Sequence, residues 1–185
     1  MSAPRGSDRP DRPVGPVARA GRFAVRRLRM ARLHVRLRGK LRVGDNVYIG
    51  RRAAVLAPNR VELGDNVAIG ADFHVESDLV AGSDILISSR VAIVGRDHAF
   101  DDPERSVYWE GRTPSGEVRL EGDNLIGFGT IIIAPVTIGR GAIVGAGSVV
   151  TRDLPPDTIC VGAPARPIRA RFDEKPDSLV RRVSA

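Results

Sequence analysis

The sequence predicts an all-β domain in which short parallel strands wind into a three-sided β-helix. The first observation is an aliphatic residue at every sixth position over most of the chain. The second is a glycine directly after many of these positions, where a tight corner is needed. The third is an aromatic content of only 4%, which favours a narrow interior of small and branched side chains.

The six-residue period falls into three series. They are Val43, Ile49 and Val55; after a slip of two residues, Leu63, Ile69, Val75, Ala81, Ile87 and Ile93; and, after an interruption, Ile126, Ile132, Ile138, Val144 and Val150. Neither a 3.6-residue helix nor a sheet of hairpins with turns about every 8–12 residues has this period. Three hexads per coil do fit it, with the aliphatic residue and the residue two before it facing inward.

The N-terminal segments differ from the repeats in composition. Residues 1–16 are rich in Pro, Arg, Gly and Ser, which predicts a disordered tail. Residues 17–40 predict a basic amphipathic helix, because residues 17–42 hold ten basic residues and no acidic one. We expect this helix to cover the open end of the core or to lie on an anionic membrane surface. No base-stacking aromatics alternate with the arginines, which disfavours nucleic acid as a partner.

Composition also excludes several classes of protein. The sequence has no run of about 18 apolar residues and no segment resembling a signal peptide, so we expect a cytoplasmic protein. Cys160 is the only cysteine, which excludes an intrachain disulfide and a cysteine metal cluster. A γ-class carbonic anhydrase needs three histidine ligands, and only His74 and His98 lie within the repeats.

The C-terminal repeats carry a family resemblance. The stretch "IGFGTIIIAPVTIGRGAIVGAGSVVTRDLPPDTICVGAPARPIR", residues 126–169, resembles the hexapeptide-repeat acyltransferases, above all the maltose, galactoside and exopolysaccharide O-acetyltransferases. The resemblance implies a left-handed β-helix domain over residues 41–165, followed by a C-terminal tail, 166–185. It also implies a homotrimer with active sites in grooves between adjacent prisms, acetyl-CoA as the donor and no required metal.

The interruption at residues 95–117 corresponds to the loop that such enzymes extrude from the coil. On this resemblance His98 is the catalytic general base, and imidazole suits that role because its ordinary pKa of about 6.5 lies near working pH. Nearby carboxylates, such as Asp97, could orient the ring. His74 on the prism wall, Asp97 and Trp109 are candidate contacts to the acceptor.

The resemblance also implies a path for CoA. The matching positions are Phe128, Gly145, Ala146, Gly147, Thr151, Arg152, Arg166 and Arg169. Guanidinium groups match phosphate oxygens, and glycines allow close approach of the pantetheine arm. Two departures from the family pattern concern this path: "GAPA" replaces the common "GNPA" at residues 162–165, and Leu125 replaces a common aromatic residue.

Taken together, these features predict transfer of an acetyl or short acyl group from acyl-CoA to a hydroxyl of a sugar or glycan within a ternary complex. Two alternatives stay open at the level of sequence. An N-acetyltransferase acting on an amino sugar or another amine would use the same base and donor site. A β-helical binding module would keep the fold without the catalysis.

Overall fold

A single helix leads into a stack of three-strand coils. The computed structural model describes residues 16–172, and helix α1 spans Pro16–Leu37. The first fifteen strands form five coils of three strands each. In chain order they are β1 (Leu41–Val43), β2 (Tyr48–Ile49) and β3 (Ala54–Val55); β4 (Val61–Leu63), β5 (Val67–Ile69) and β6 (His74–Val75); β7 (Asp78–Ala81), β8 (Ile85–Ile87) and β9 (Ala92–Val94); β10 (Glu117–Leu120), β11 (Leu125–Ile126) and β12 (Ile131–Ile133); and β13 (Val136–Ile138), β14 (Ile143–Val144) and β15 (Val149–Val150). Strands β16 (Thr158–Val161) and β17 (Arg166–Ala170) follow.

The strands form three sheets, one on each side of the prism. Face A contains β1, β4, β7, β10 and β13; face B contains β2, β5, β8, β11, β14, β16 and β17; face C contains β3, β6, β9, β12 and β15. Neighbouring strands from successive coils pair in parallel, as in the register Val75↔Ile93 on face C. The fold is the left-handed parallel β-helix expected from the sequence.

The six-residue period identifies the core. Each residue of the three predicted series from Ile49 onward is buried, whereas Val43, in the first coil, is partly buried against the core. Two inward positions hold hydroxyl groups that find partners inside the wall. Thr130 Oγ1 donates to the Gly127 carbonyl at 2.9 Å, and Ser148 Oγ accepts from the Gly162 N–H at 3.2 Å.

Two corners of the coil have the sequence GDN, at residues 44–46 and 64–66. A Cβ on Gly44 would lie 2.9 Å from the carbonyl carbon of Gly64, so the close approach of the two corners favours glycine. Asn46 and Asn66 supply the positive φ angles, 56° and 57°, which asparagine tolerates better than most residues. Their side chains also stack, because Asn46 Nδ2 donates to Asn66 Oδ1 at 2.8 Å.

Helix α1 packs on the first coil, although not with the whole apolar face expected from the sequence. Leu37 is buried in the core, and Met30 and Leu33 pack against it. In contrast, Leu28 is 53% exposed on another side of the helix. The helix ends at Leu37, within the segment at residues 17–40 that was predicted to contain it. Residues 1–15 of the predicted tail lie outside the described part of the chain.

The C-terminal boundary also differs from the expectation, because the predicted tail at 166–185 begins with a strand. Strand β17 pairs antiparallel with β16 and covers the last edge of face B. Arg171 then ties the segment to an earlier coil through an ion pair from its Nη1 to Asp123 Oδ2 at 2.8 Å. The ordered domain therefore extends past residue 165, and residues 173–185 lie outside the described part.

Candidate active site

A long excursion interrupts the coil between faces C and A. Residues 95–116 leave after β9 and return at β10, one residue before the predicted end of the loop at 117. Near its base the loop closes on itself: the Ala99 N–H donates to the Gly111 carbonyl at 3.1 Å, and the Thr113 N–H donates to the Asp97 carbonyl at 2.9 Å. These bonds form a short antiparallel ribbon that gives the loop a defined base.

His98 lies in this ribbon, opposite Arg112. Its side chain is half-buried, and Nδ1 is enclosed without a hydrogen-bond partner. Its backbone N–H donates to Asp97 Oδ1 at 2.8 Å. The Asp97 carboxylate thus binds the main chain and makes no hydrogen bond to the imidazole that the sequence suggested it would orient.

The outer part of the loop carries two exposed aromatic rings. A short 3₁₀ helix, Val107–Trp109, presents Tyr108 and Trp109 at 73% and 74% exposure. The rings meet edge to face, with centroids 4.7 Å apart. Exposed tyrosine and tryptophan rings are enriched at protein interfaces.

His74 projects from face C on β6, directly beside β9, from which the loop departs. As expected from strand alternation, its neighbours Phe73 and Val75 are buried. Its Nε2 lies 2.8 Å from Glu76 Oε1. The pair forms a polar patch on the otherwise apolar outer surface of face C.

Four of the predicted CoA positions meet at the corner between faces B and C. Phe128 stands on one coil, and Gly145, Ala146 and Gly147 stand on the next; the Gly147 N–H donates to the Phe128 carbonyl at 2.8 Å. The Phe128 ring is 49% exposed, and the Arg90 guanidinium lies 5.7 Å from its centroid. We call this group the donor corner.

The remaining predicted CoA positions are dispersed. Arg166 pairs with Val161 in the β16–β17 ribbon, near the donor corner, while Arg169 pairs with Ile159 farther along face B. Thr151 and Arg152 are exposed directly after β15, at the edge of face C away from the donor corner. The single chain therefore gathers only part of the predicted path in one place.

The loop that carries His98 and the donor corner adjoin opposite edges of face C. The donor corner precedes β12 and β15, whereas the loop with His98 follows β9, which pairs with β12. Face C thus lies between the donor corner and the point where the loop leaves the coil of the same protomer.

Two residues of the site were absent from the sequence predictions. Arg90 lies beside Gly129 on the preceding coil, and so it belongs to the donor corner. Aligning the hexads of successive coils would have predicted this position from the sequence. Glu110, whose Oε1 is enclosed and unpaired within the loop, had no such signal because the loop has no period. Within residues 16–172, no group of three or more His, Cys, Asp or Glu side chains is arranged to hold a metal.

Comparison with known families places the repeats among transferases. Residues 117–152 match a family model described as bacterial transferase hexapeptide (six repeats). Residues 40–72 match a model described as hexapeptide repeat of succinyl-transferase. The two matches lie on either side of the loop, so both halves of the coil carry the family pattern.

Similar proteins among curated sequences include two that match most of this chain. A candidate acetyltransferase of Schizosaccharomyces pombe is 31% identical over 150 residues, covering 69% of this chain and 71% of the relative. The galactoside O-acetyltransferase of Escherichia coli is 30% identical over 129 residues, covering 65% of this chain and 62% of that enzyme. The match therefore includes most of each protein, although more than a third of the E. coli enzyme has no counterpart.

Similar solved structures include complexes with the expected donor. A hexapeptide-repeat acetyltransferase from Vibrio cholerae, complexed with acetyl coenzyme A, has a TM-score of 0.66 at 27% identity and covers 78% of this chain and 79% of its own. A mutant N-acyltransferase from Bacillus cereus, complexed with dTDP and coenzyme A, has a TM-score of 0.58 at 26% identity, with 76% and 88% covered. A maltose O-acetyltransferase from Clostridium difficile has a TM-score of 0.52 at 30% identity, with 73% and 61% covered.

Proposed function

The chain belongs to the hexapeptide-repeat acetyltransferase family, and on that basis we propose that it transfers an acetyl group from acetyl-CoA to a hydroxyl of a sugar or glycan. The observation that carries the proposal is the excursion at residues 95–116, which brings a half-buried histidine to the edge of a wall otherwise poor in reactive groups. The similarity to galactoside and maltose O-acetyltransferases supports the choice of a sugar hydroxyl.

In the proposed reaction His98 acts as a general base within a ternary complex. Its Nε2 accepts the proton of the acceptor hydroxyl while the oxygen attacks the thioester carbonyl of acetyl-CoA. The tetrahedral intermediate collapses with cleavage of the C–S bond, and the imidazolium returns the proton to the CoA thiolate. The products are an acetyl ester and CoA, and the base is restored for the next cycle.

The donor corner is proposed to hold CoA. Gly145 and Gly147 offer a backbone without side chains to the pantetheine arm, and beside Gly147 the space that a Cβ would occupy is open. Arg166 stands beside this corner and is suited to a CoA phosphate. Arg90, which lies over the Phe128 ring, adds a second cation there.

A homotrimer is the proposed assembly, because the single chain separates its base from its donor corner. In a ring of three prisms, the corner of one protomer can face the loop of the next through the same heterologous contact repeated three times. Each active site would then use His98 from one subunit and the donor corner from its neighbour.

The nature of the acceptor is tested by consumption of the acetyl-CoA thioester with a panel of sugars and matching amino sugars. We expect turnover with plain sugars and a product that hydroxylamine cleaves, as it does esters. Turnover confined to amino sugars, with a product stable to hydroxylamine, would establish N-acetylation, the activity named for the B. cereus relative. CoA binding without turnover on any acceptor would favour a non-catalytic β-helical module.

A peripheral contact between α1 and the inner face of the membrane is a further part of the proposal. Within the described residues no helix is long and apolar enough to span a bilayer. However, Val25, Leu28 and Val35 are exposed at helical spacing with Arg32 between them. We call these four residues the outer stripe.

The outer stripe lies roughly opposite Met30, Leu33 and Leu37, which dock on the coil. One side of the helix therefore packs on the coil, and the opposite side is available to bind a membrane surface. Apolar side chains flanked by arginines suit an anionic bilayer, and the cytoplasmic leaflet carries such charge. This proposal also implies a cytoplasmic location.

Changing Leu28→Ser and Val35→Ser together is expected to weaken binding to phosphatidylglycerol vesicles, because it removes the apolar part of the outer stripe without changing charge. Sedimentation with vesicles at low and high salt measures the effect, and phosphatidylcholine vesicles should bind little protein. Leu86→Ser, at a residue of similar exposure on face B, is the matched control. Equal binding by both variants would refute the contact.

A further inference from the structure

Two enclosed polar atoms in the loop at residues 95–116 have no hydrogen-bond partner. They are His98 Nδ1 and Glu110 Oε1, and the one other such atom among the described residues, Ser77 Oγ, lies outside the loop. Buried polar groups in folded proteins are nearly always paired. Two exceptions within one short loop, one of them on the proposed base, therefore call for a functional explanation.

The backbone of the loop places these two residues diagonally across the ribbon. His98 pairs with Arg112, and the Ala99 N–H donates to the Gly111 carbonyl, so Glu110 lies two residues from the position opposite His98 and on the same side of the ribbon. The Glu110 carboxylate turns into the loop, where its Oε2 accepts from the Asp102 N–H at 3.3 Å. This contact leaves Oε1 as the enclosed oxygen without a partner.

Several other charged groups around the ribbon have partners, and the carboxylates of Asp101 and Glu104 are exposed. Asp97 Oδ1 accepts from the His98 N–H at 2.8 Å, Asp102 Oδ1 accepts from the Glu104 N–H at 2.9 Å, Arg105 lies 3.4 Å from Asp102 Oδ2, and Arg112 Nη1 donates to the Arg96 carbonyl at 2.9 Å. Glu110 is thus the loop carboxylate that combines enclosure with a free oxygen.

The two unpaired atoms are chemically complementary. A neutral imidazole carries one N–H, and a carboxylate oxygen accepts strongly from it. If the proton resides on Nδ1 and points at Glu110 Oε1, the lone pair of Nε2 is left free to act as a base. The same bond would hold the ring in one orientation, since the hydrogen bond at one nitrogen sets the role of the other.

We propose that Glu110 is a positioning residue for His98 and accepts a hydrogen bond from its Nδ1 in the working site. The two atoms are not bonded in this structure, so the pair forms by a side-chain movement inside the loop when CoA binds. This inference rests on the proposed function, because it assigns His98 the role of base.

Glu110→Ala is expected to lower kcat by up to about 100-fold, the order of loss that misplacing a catalytic group causes, with KM for acetyl-CoA unchanged. Glu110→Gln should recover part of the loss, because its amide oxygen still accepts from Nδ1. Glu104→Ala removes an exposed acid from the same loop and is the matched control. Turnover of Glu110→Ala equal to that of the control would overturn the proposal.

A second measurement determines the tautomer of the His98 imidazole directly. The chain has three histidines, so nitrogen-15 spectra of the imidazoles can be assigned with His98→Ala. With CoA bound, the wild type should carry its proton on Nδ1 of His98, and Glu110→Ala should lose this preference. An unchanged tautomer in Glu110→Ala would refute the pair. Absence of turnover by the wild type on every acceptor would instead refute the proposed function, and the spectra would still decide the pairing.

Discussion

Replacing His98 with alanine is expected to lower acetyl transfer by about 100- to 10,000-fold, the contribution that a positioned general base typically makes. The loss should appear in kcat, because the donor corner lies at the opposite edge of face C and is not altered by the change. Steady-state thioester consumption and CoA calorimetry, performed on the same preparation, measure the two effects separately.

The matched control is His34→Ala. His34 lies exposed on α1, where its Nδ1 bonds to the carbonyl of Met30 at 2.9 Å, far along the chain from the loop. This variant should retain full turnover with a water-soluble acceptor. If His98→Ala turned over acetyl-CoA as fast as His34→Ala, another group would have to supply the base.

The second large effect concerns stability and follows from the alternation on β12. Ile132 is fully buried in the stacked core, whereas its neighbour Ile131 is 41% exposed on the outer wall. Ile132→Ala should reduce the free energy of unfolding by about 2–5 kcal/mol, through lost burial and the cavity left behind. Ile131→Ala removes the same atoms from the surface and should cost only about 0.5 kcal/mol.

Chemical denaturation of both variants provides this comparison. Because each coil is stabilised by its neighbours, a defect in the middle of the stack weakens the coils on both sides. Equal losses of unfolding free energy for Ile131→Ala and Ile132→Ala would mean that the inward-facing residues of β12 are wrongly assigned.

The period of six allowed the fold to be predicted because it reflects geometry that every coil shares. Once three hexads form a coil, strand alternation decides which residues face inward, and Ile132 and Val144 are buried as the period requires. The position of the loop could also be predicted, since an interruption of the period is itself visible in sequence.

Features that depend on non-periodic contacts could not be predicted in this way. The helical pattern predicted an amphipathic helix but could not show which side of α1 meets the coil. Strand β17 folds back along the outer edge of β16, and the hexad period does not predict this reversal. A partner for His98 was sought among adjacent acids such as Asp97, whereas the proposed partner, Glu110, lies near the ribbon only because the loop folds back.

In a single protomer, the loop with His98 leaves face C at one edge, and Phe128 with Ala146 lies at the other edge. The proposed homotrimer therefore builds each active site from two protomers. This sharing of the site between subunits is the central claim.

Complementation between two inactive variants tests that claim most directly. His98→Ala lacks the base, and Ala146→Trp blocks the donor corner at an exposed position without entering the core. The two chains, co-expressed with different affinity tags and purified through both, are expected to regain about a third of wild-type turnover per site, because every mixed ring of three contains one site with both parts intact. Mixed assemblies as inactive as either parent would contradict a site shared between subunits.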